Sequence, residues 1–293
     1  MTIAISIKVN DGVVLAADSA TTLLALDPQH GAPVVVNVYT SANKVFNLRK
    51  GLPIGVITWG AGNIGAASIS TLLKDLRQRL SSAQETHHDW VIEENQYSVL
   101  TIADKVRQFF FDEKYTPAFA QVPEEIRPVL GFIVAGYSSG SNFAEEYLIQ
   151  IQNGKCAPPL ALRSAEQTGL TWNGEIEAIT RLIVGFSPSL PMWFKQVTQM
   201  ADEQLQVFVA DMQQVMQAAL VQPAMPIQDA IDLADFLVQT AIQYSRFAPG
   251  AQTVGGPIEI AAITKHEGFK WIKRKLYYQN ELNPVDNNHA QGK

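Results

Sequence analysis

Residues Ile3 to Val9, IAISIKV, alternate strictly from the third position of the chain onward. Period two puts Ile3, Ile5, Ile7 and Val9 on one face and Ala4, Ser6 and Lys8 on the other, the signature of a half-buried β-strand. Asn10-Asp11-Gly12 follows and ends in the Asp-Gly step that favours a tight hairpin. Residues 2–9 and 12–18 are therefore expected to pair. Chain ends are ordinarily loose. An alternation that starts at once implies an N-terminus held inside the fold, and it raises the question of what the terminus does there.

Further on, GAPVVVNVYTSANKVFNL predicts a third strand with room for a fourth, and GLPIGVITWGAG reads as a buried strand closing in a glycine-rich turn. Ile69, Leu72, Leu73, Leu76 and Leu80 mark a helix over 63–82, and Ile102, Val106, Phe109 and Phe110 mark a second. VLGFIVAGYSSGSNFAEEYLIQI predicts a hairpin of apolar strands. Phe194, Val197, Ala201, Leu205, Phe208, Met212, Val215 and Ala219 recur at three- and four-residue steps and predict one long helix. Pro223 and Pro226 separate it from another helix over 227–245. The last strands are PIEIAAITK and FKWIKRKLYY, joined across His266-Glu267-Gly268. This order fits the α+β class, with two sheets packed together and helices outside them. A single domain over 1–280 and a polar tail over 281–293 are expected.

A formal net charge of −6 argues against the broad basic surface of a nucleic-acid binder. The basic cluster KWIKRK at 270–275 alternates with apolar residues and reads as the exposed side of a strand. One cysteine, Cys156, allows neither an internal disulfide nor a thiolate zinc site within one chain. His87-His88 beside Asp89 lacks a third ligand and reads as a loop, and GAGNIG at 60–65 falls short of a dinucleotide fingerprint. No run is long enough for a membrane span and no basic segment precedes an apolar core, so the expected address is cytoplasmic. No metal or cofactor is expected.

Several patches occur together and in order: TIAISIKVNDGVVLAADSATT, SANKVFNL, PIGVITWGAG, LGFIVAGYSSGSNFAEEYLIQIQNG and GAQTVGGPIEIAAITKHEGF. In that order they resemble the β-type subunits of the proteasome and its bacterial relatives, including HslV and Anbu, within the N-terminal-nucleophile (Ntn) hydrolases. The resemblance covers most of the chain in patches. It implies a four-layer αββα sandwich of two mainly antiparallel sheets flanked by helix pairs. It implies a homo-oligomeric ring or helical assembly, peptide or unfolded-protein substrates and an ATPase as a partner to consider, with no nucleic acid or membrane partner. By position it implies Thr2 as nucleophile once Met1 is removed, Asp18 and Lys44 as charged support, and the Gly60 N–H as oxyanion donor. The first specificity pocket falls on Thr21, Ala42, Phe46 and Thr58, an uncharged set.

The chemistry of these residue types agrees with that reading. A threonine hydroxyl needs an adjacent base to act as a nucleophile. An α-amino group titrates near 7.7–8.0, so the amine of a terminal Thr2 is a built-in base at neutral pH. A lysine beside it lowers the amine's proton affinity, and Asp18 would make that buried lysine tolerable. Taken singly the residues have plainer readings: a small second residue, an Asp-Ser turn, a lysine on a strand edge and a glycine turn.

The pattern also breaks. The family's serine after the central hairpins falls at Asn173, which could orient the amine, and its last-turn aspartate and serine fall at Ala251 and Val254, with Thr253 adjacent. About ten extra residues between Asp18 and Lys44, including LDPQHGAPVVV, would border the cleft. No propeptide is recognised, so Met1 removal alone would free Thr2. Three functions follow: an N-terminal threonine peptidase, an inactive β-type subunit with an assembly or binding role, and a small-molecule amidase.

Overall fold

The computed structural model describes residues 2–26, 33–81 and 88–275. Strand β1 (Ile3–Val9) turns through Asn10-Asp11 into β2 (Gly12–Ala17), and the two pair antiparallel from Ala4 opposite Ala17 to Val9 opposite Gly12. Strands β3 (Thr21–Leu26) and β4 (Pro33–Tyr39) form a separate two-stranded ribbon, and residues 27–32 between them lie outside the described residues. Strand β5 (Val45–Asn47) and β6 (Ile54–Gly60) follow. A small ribbon of β7 (Asn63–Ile64) and β8 (Ala67–Ser68) leads into helix α1 (Ile69–Ser81). The helix expected from residue 63 therefore starts six residues later. Gly65 takes a left-handed φ of +57° to turn the ribbon, and the Ser68 hydroxyl caps the helix by accepting the Thr71 N–H at 3.1 Å.

Helix α2 (Val99–Arg107) passes into a wider helical stretch, Gln108–Tyr115, and a last turn, α3 (Thr116–Ala118). Next come β9 (Leu130–Gly136), β10 (Glu145–Gln152), two short strands β11 (Lys155–Cys156) and β12 (Leu160–Ala161), and β13 (Gly169–Gly174). Four helices follow: α4 (Glu177–Val184), α5 (Leu190–Thr198), α6 (Asp202–Met216) and α7 (Ile227–Phe247). The chain returns through β14 (Glu259–Thr264) and β15 (Gly268–Lys273). The single long helix expected over 194–219 is two helices. Gln199 breaks it with φ +52°, and Phe194 stacks on Phe208 across the bend at 4.8 Å. Apolar spacing continues through the break because Phe194 of α5 and Leu205, Phe208 and Met212 of α6 line one shared cavity, so periodicity could not register it.

The architecture is α+β with several antiparallel sheets. One sheet has the order β13-β1-β2-β14-β15, and the other runs β11-β10-β9-β6-β5 with β12 beside β10. Apolar side chains collect in three cores. Ile3, Ile5, Ile7 and Val14 of the first sheet pack with Ile183 of α4 and with Leu237 and Val238 of α7. Val56, Phe132 and Ile149 of the second pack with Leu73 and Leu76 of α1 and Val106 and Phe110 of the following helix. Ala4, Val13, Leu15 and Ile263 of the first sheet meet Ile57, Trp59 and Ile133 of the second.

This arrangement corrects the half-buried reading of β1, because both of its faces are buried. The face with Ser6 and Lys8 lies in the region between the sheets and is satisfied there. Ser6 donates to Glu146 at 2.5 Å, Glu146 pairs with Arg163, and Arg163 donates to Thr171 at 2.6 Å. Lys8 Nζ donates to the carbonyls of Ser164 at 3.1 Å and Ala165 at 2.7 Å. Polar alternation signals solvent only when no second layer supplies partners. Removing one member of a buried ion pair strands the other, at a cost of about 3–5 kcal/mol. Glu146→Ala should therefore lower the free energy of urea unfolding by about that much, whereas Glu146→Leu with Arg163→Met should recover most of it.

Candidate functional site

Thr2, Thr21, Ala42, Lys44, Thr58 and Gly60 line one cavity of about 210 Å³. Four chain segments bring them there: the start of β1, the start of β3, the lead into β5, and the end of β6. Thr2 is buried, and its backbone is held from both sides. Its carbonyl accepts the Glu175 N–H at 2.6 Å, and the Ile3 N–H donates to Asp18 Oδ1 at 3.1 Å. Gly174, directly across the ladder from Ile3, has φ +91°, and a Cβ there would stand 1.8 Å from the Thr2 carbonyl oxygen. A glycine is required for β13 to close this tightly on Thr2.

Asp18 is wholly buried, and its carboxylate receives donors from four segments. Oδ1 accepts Lys44 Nζ at 2.6 Å and the Ile3 N–H at 3.1 Å; Oδ2 accepts the N–H groups of Ala20 at 3.0 Å and Gly255 at 2.9 Å. One oxygen thus ties the backbone beside Thr2 to the Lys44 ammonium. Burial pushes Lys44 down to about 8, against the opposing pull of Asp18, and the cation of Lys275 pushes the same way as burial. Lys44 is consequently poised to lose a proton only slightly above neutral pH.

The Gly60 N–H belongs on the cavity side. Successive N–H groups of a strand point to opposite edges. The Thr58 N–H donates to the Lys44 carbonyl at 3.0 Å and the Ala61 N–H to the Val129 carbonyl at 2.8 Å, so Gly60 shares the edge of Thr58, beyond the point where β5 begins at Val45. Its φ is +95°, and a Cβ would stand 2.3 Å from the Val129 carbonyl oxygen. Any other residue would have to displace β9.

Phe46 is not among the residues lining this cavity. It packs in the helix-covered core of the second sheet, because alternation within β5 sends Val45 between the sheets and Phe46 to the opposite face. Asn173 lies opposite Ala4, and its buried Nδ2 finds no partner among the described residues. In the last glycine-rich turn Thr253 and Val254 are buried, and that turn bonds Asp18 and Ser19 through the Gly255 N–H and carbonyl. His88–Trp90 is one short helical turn, His87 lies outside the described residues, and those residues hold no metal-ligand cluster. No helix among them is long and apolar enough to cross a membrane. Residues 276–293, which include the tail, lie outside the described residues.

Sequence reading missed Glu259 and Lys275. Glu259 Oε2 accepts the N–H groups of Lys44 at 2.9 Å and Val45 at 3.4 Å, while Oε1 pairs with Lys275 Nζ at 3.4 Å. Lys275 also reaches Ser19 Oγ and the Ala42 carbonyl, each at 2.5 Å. The basic run read as a solvated face therefore sends its last lysine inward. A buried pair a few ångströms behind Lys44 is a property of the fold, and the only hint of it was a charge, Glu259, opening an apolar strand.

Because the folded state holds Lys44 near 8 and an unfolded lysine titrates near 10.5, the unfolded chain binds more protons between those values. Burial of the cation thus weakens the fold below about pH 8, and the penalty is relieved as pH rises toward 10.5. Lys44→Met should flatten the rise in stability over that window relative to the unsubstituted chain, measured as the difference in urea midpoint at the two ends.

No family model matches the chain, and no curated protein does. Solved structures similar to it include the helical assembly of the Anbu complex from Pseudomonas aeruginosa, at 14% identity and a TM-score of 0.48, covering 96% of this chain and 90% of that one. Anbu (ancestral beta-subunit) from Yersinia bercovieri matches at 12% identity and 0.47 over 94% and 89%. An Anbu (Gly-1) mutant from Hyphomicrobium sp. strain MC1 matches at 17% identity and 0.48 over 99% and 95%. These findings correct the resemblance drawn from the sequence, which joined proteasome β-type, HslV and Anbu-like subunits as one Ntn hydrolase family. The three structures are Anbu proteins and not catalytic HslV or proteasome subunits, and likeness at this level assigns the chain to no family.

Proposed function

We propose that this chain is an amide-bond hydrolase whose nucleophile is Thr2, freed by removal of Met1, with peptides as its substrate class. The observation that carries this reading is the single oxygen, Asp18 Oδ1, that binds both the amide beside Thr2 and the Lys44 ammonium. In the proposed reaction the Thr2 α-amine takes the proton from Oγ as Oγ bonds to the substrate carbonyl carbon. Negative charge collects on the carbonyl oxygen, facing the Gly60 N–H, where one donor contributes about 3–4 kcal/mol. The protonated amine then gives its proton to the leaving nitrogen as the C–N bond breaks. Water, deprotonated by the same amine, bonds to the acyl carbon, and the amine returns that proton to Oγ as the acyl–Oγ bond breaks. Lys44 and Asp18 touch none of the bonds that change; they set the amine's proton affinity and hold its position. Thr21, Ala42 and Thr58 would meet the substrate side chain, an apolar or small one.

The three packed cores support a four-layer αββα sandwich formed by one domain up to about residue 280. Assembly of several copies is part of the same reading. Trp193 and Val197 on α5, Val207 and Val215 on α6 and Phe247 on α7 are all exposed, and such apolar faces suit contacts between copies. A second reading, a non-catalytic subunit, draws support from the unpartnered Nδ2 of Asn173 and from Ala251 and Val254 in the closing turn.

Turnover of fluorogenic peptide amides separates the two. Thr2→Ala should lower kcat/KM by at least about a thousandfold while leaving the fold intact, and Thr2→Ser should retain measurable activity. The pH profile should be a bell. Its acid limb reports an amine held below its usual 7.7–8.0 by the Lys44 charge, and its basic limb falls as Lys44 deprotonates near 8. Lys44→Arg should move the basic limb upward. Equal turnover by Thr2→Ala would remove the proposal.

A further inference from the structure

A second cavity, of about 380 Å³, lies behind the Lys44 strand. Cations from three separate elements line it: Lys50 in the β5–β6 turn, Lys74 and Arg77 on α1, and Arg274 just after β15. Lys74 and Arg77 are three apart on one helix face and so point the same way. Among the described residues Lys50, Lys74 and Arg77 have no carboxylate partner, and Arg274 rests on the Trp271 ring, 4.9 Å from its centroid. The carboxylate on the wall, Glu259, is already engaged by two backbone N–H groups and Lys275. Asn47, also on the wall, has a buried Oδ1 with no partner among the described residues.

Four cations around one cavity repel each other, and in a chain of net charge −6 their grouping is not a by-product of excess basic residues. Other cations of this chain have found carboxylates: Arg79 bonds Glu113, Arg163 bonds Glu146 and Lys273 bonds Asp235. We infer that this cavity binds a small, multiply charged anion bearing phosphate or carboxylate groups. The Arg77 guanidinium offers a two-pronged contact to such a group, and Lys50 and Lys74 add mobile point charges. Asn43 lines both this cavity and the one holding Thr2, and Glu259 holds the Lys44 N–H, so the two cavities share a wall.

Calorimetric titration of the full chain with inorganic pyrophosphate, and separately with citrate, tests binding without reference to catalysis. Saturable binding at one site per chain is expected, weakening as salt is raised. Lys74→Ala with Arg77→Ala should weaken it at least about tenfold. Lys155→Ala with Lys195→Ala removes the same charge from β11 and α5, which contribute nothing to the cavity lining, and should leave it unchanged. Circular dichroism confirms that both variants fold. Pyrophosphate binding alone identifies a phosphate ligand and citrate binding alone a carboxylate one; either supports the site. No saturable binding of either anion at millimolar concentration overturns it, as does equal weakening in both double variants. Any effect of the anion on peptide turnover rests additionally on the Thr2 reading, and its absence would leave the binding result standing.

Discussion

A carboxylate with no access to water holds this structure together at its working end. Asp18 could not remain charged there without compensation, since desolvating a carboxylate costs several kcal/mol even after relaxation. Its two oxygens are met by one ammonium and three backbone N–H groups, donated from positions 3, 20, 44 and 255 of the chain. Those positions belong to β1, the lead into β3, the lead into β5 and the turn before β14. Each donor is needed to keep the charge tolerable, so the four segments are fixed relative to one another. The same network fixes what stands next to it. Thr2 is one bond from the Ile3 amide, and Lys44, which binds Asp18, stands on the wall of the cavity that Thr2 also lines.

Behind this group lies a second one built on the same principle. Glu259 grips the backbone at Lys44 and Val45, and Lys275 balances it while also tying Ser19 to the Ala42 carbonyl. Two buried cations and two buried carboxylates therefore alternate through the junction of the sheets. Burial lowers the proton affinity of both lysines, and each carboxylate opposes that effect. The arrangement keeps a cation next to Thr2 without letting it be an ordinary, fully solvated lysine. In the reading favoured above that is what a terminal amine needs in order to be unprotonated at neutral pH.

Much of this was legible in the sequence where local chemistry decides structure. The Asp-Gly step gave the first hairpin, and the prolines at 223 and 226 separated the last two long helices. Order along the chain brought Thr2, Asp18, Lys44 and Gly60 to notice together, and the structure brings them together. What stayed hidden depends on partners distant in sequence. Ser6 and Lys8 looked solvent-facing because their acceptors, Glu146 and the carbonyls near residue 164, lie over a hundred residues away. Phe46 was misplaced because a strand of three residues carries too short an alternation to fix its faces. Gln199 broke a helix that its apolar spacing continued. Lys275 sat in a run of charges whose outward members concealed an inward one.

The central claim is that the amine and hydroxyl of Thr2 act as one reactive unit. Intact mass of the purified protein after incubation with a peptide epoxyketone tests it most directly, since that reagent closes its ring only on a free terminal amine and its own hydroxyl. The account predicts a chain without Met1 that gains one adduct, localised to Thr2 and absent from Thr2→Ala. A chain that has lost Met1, is folded and still gains no adduct would contradict it.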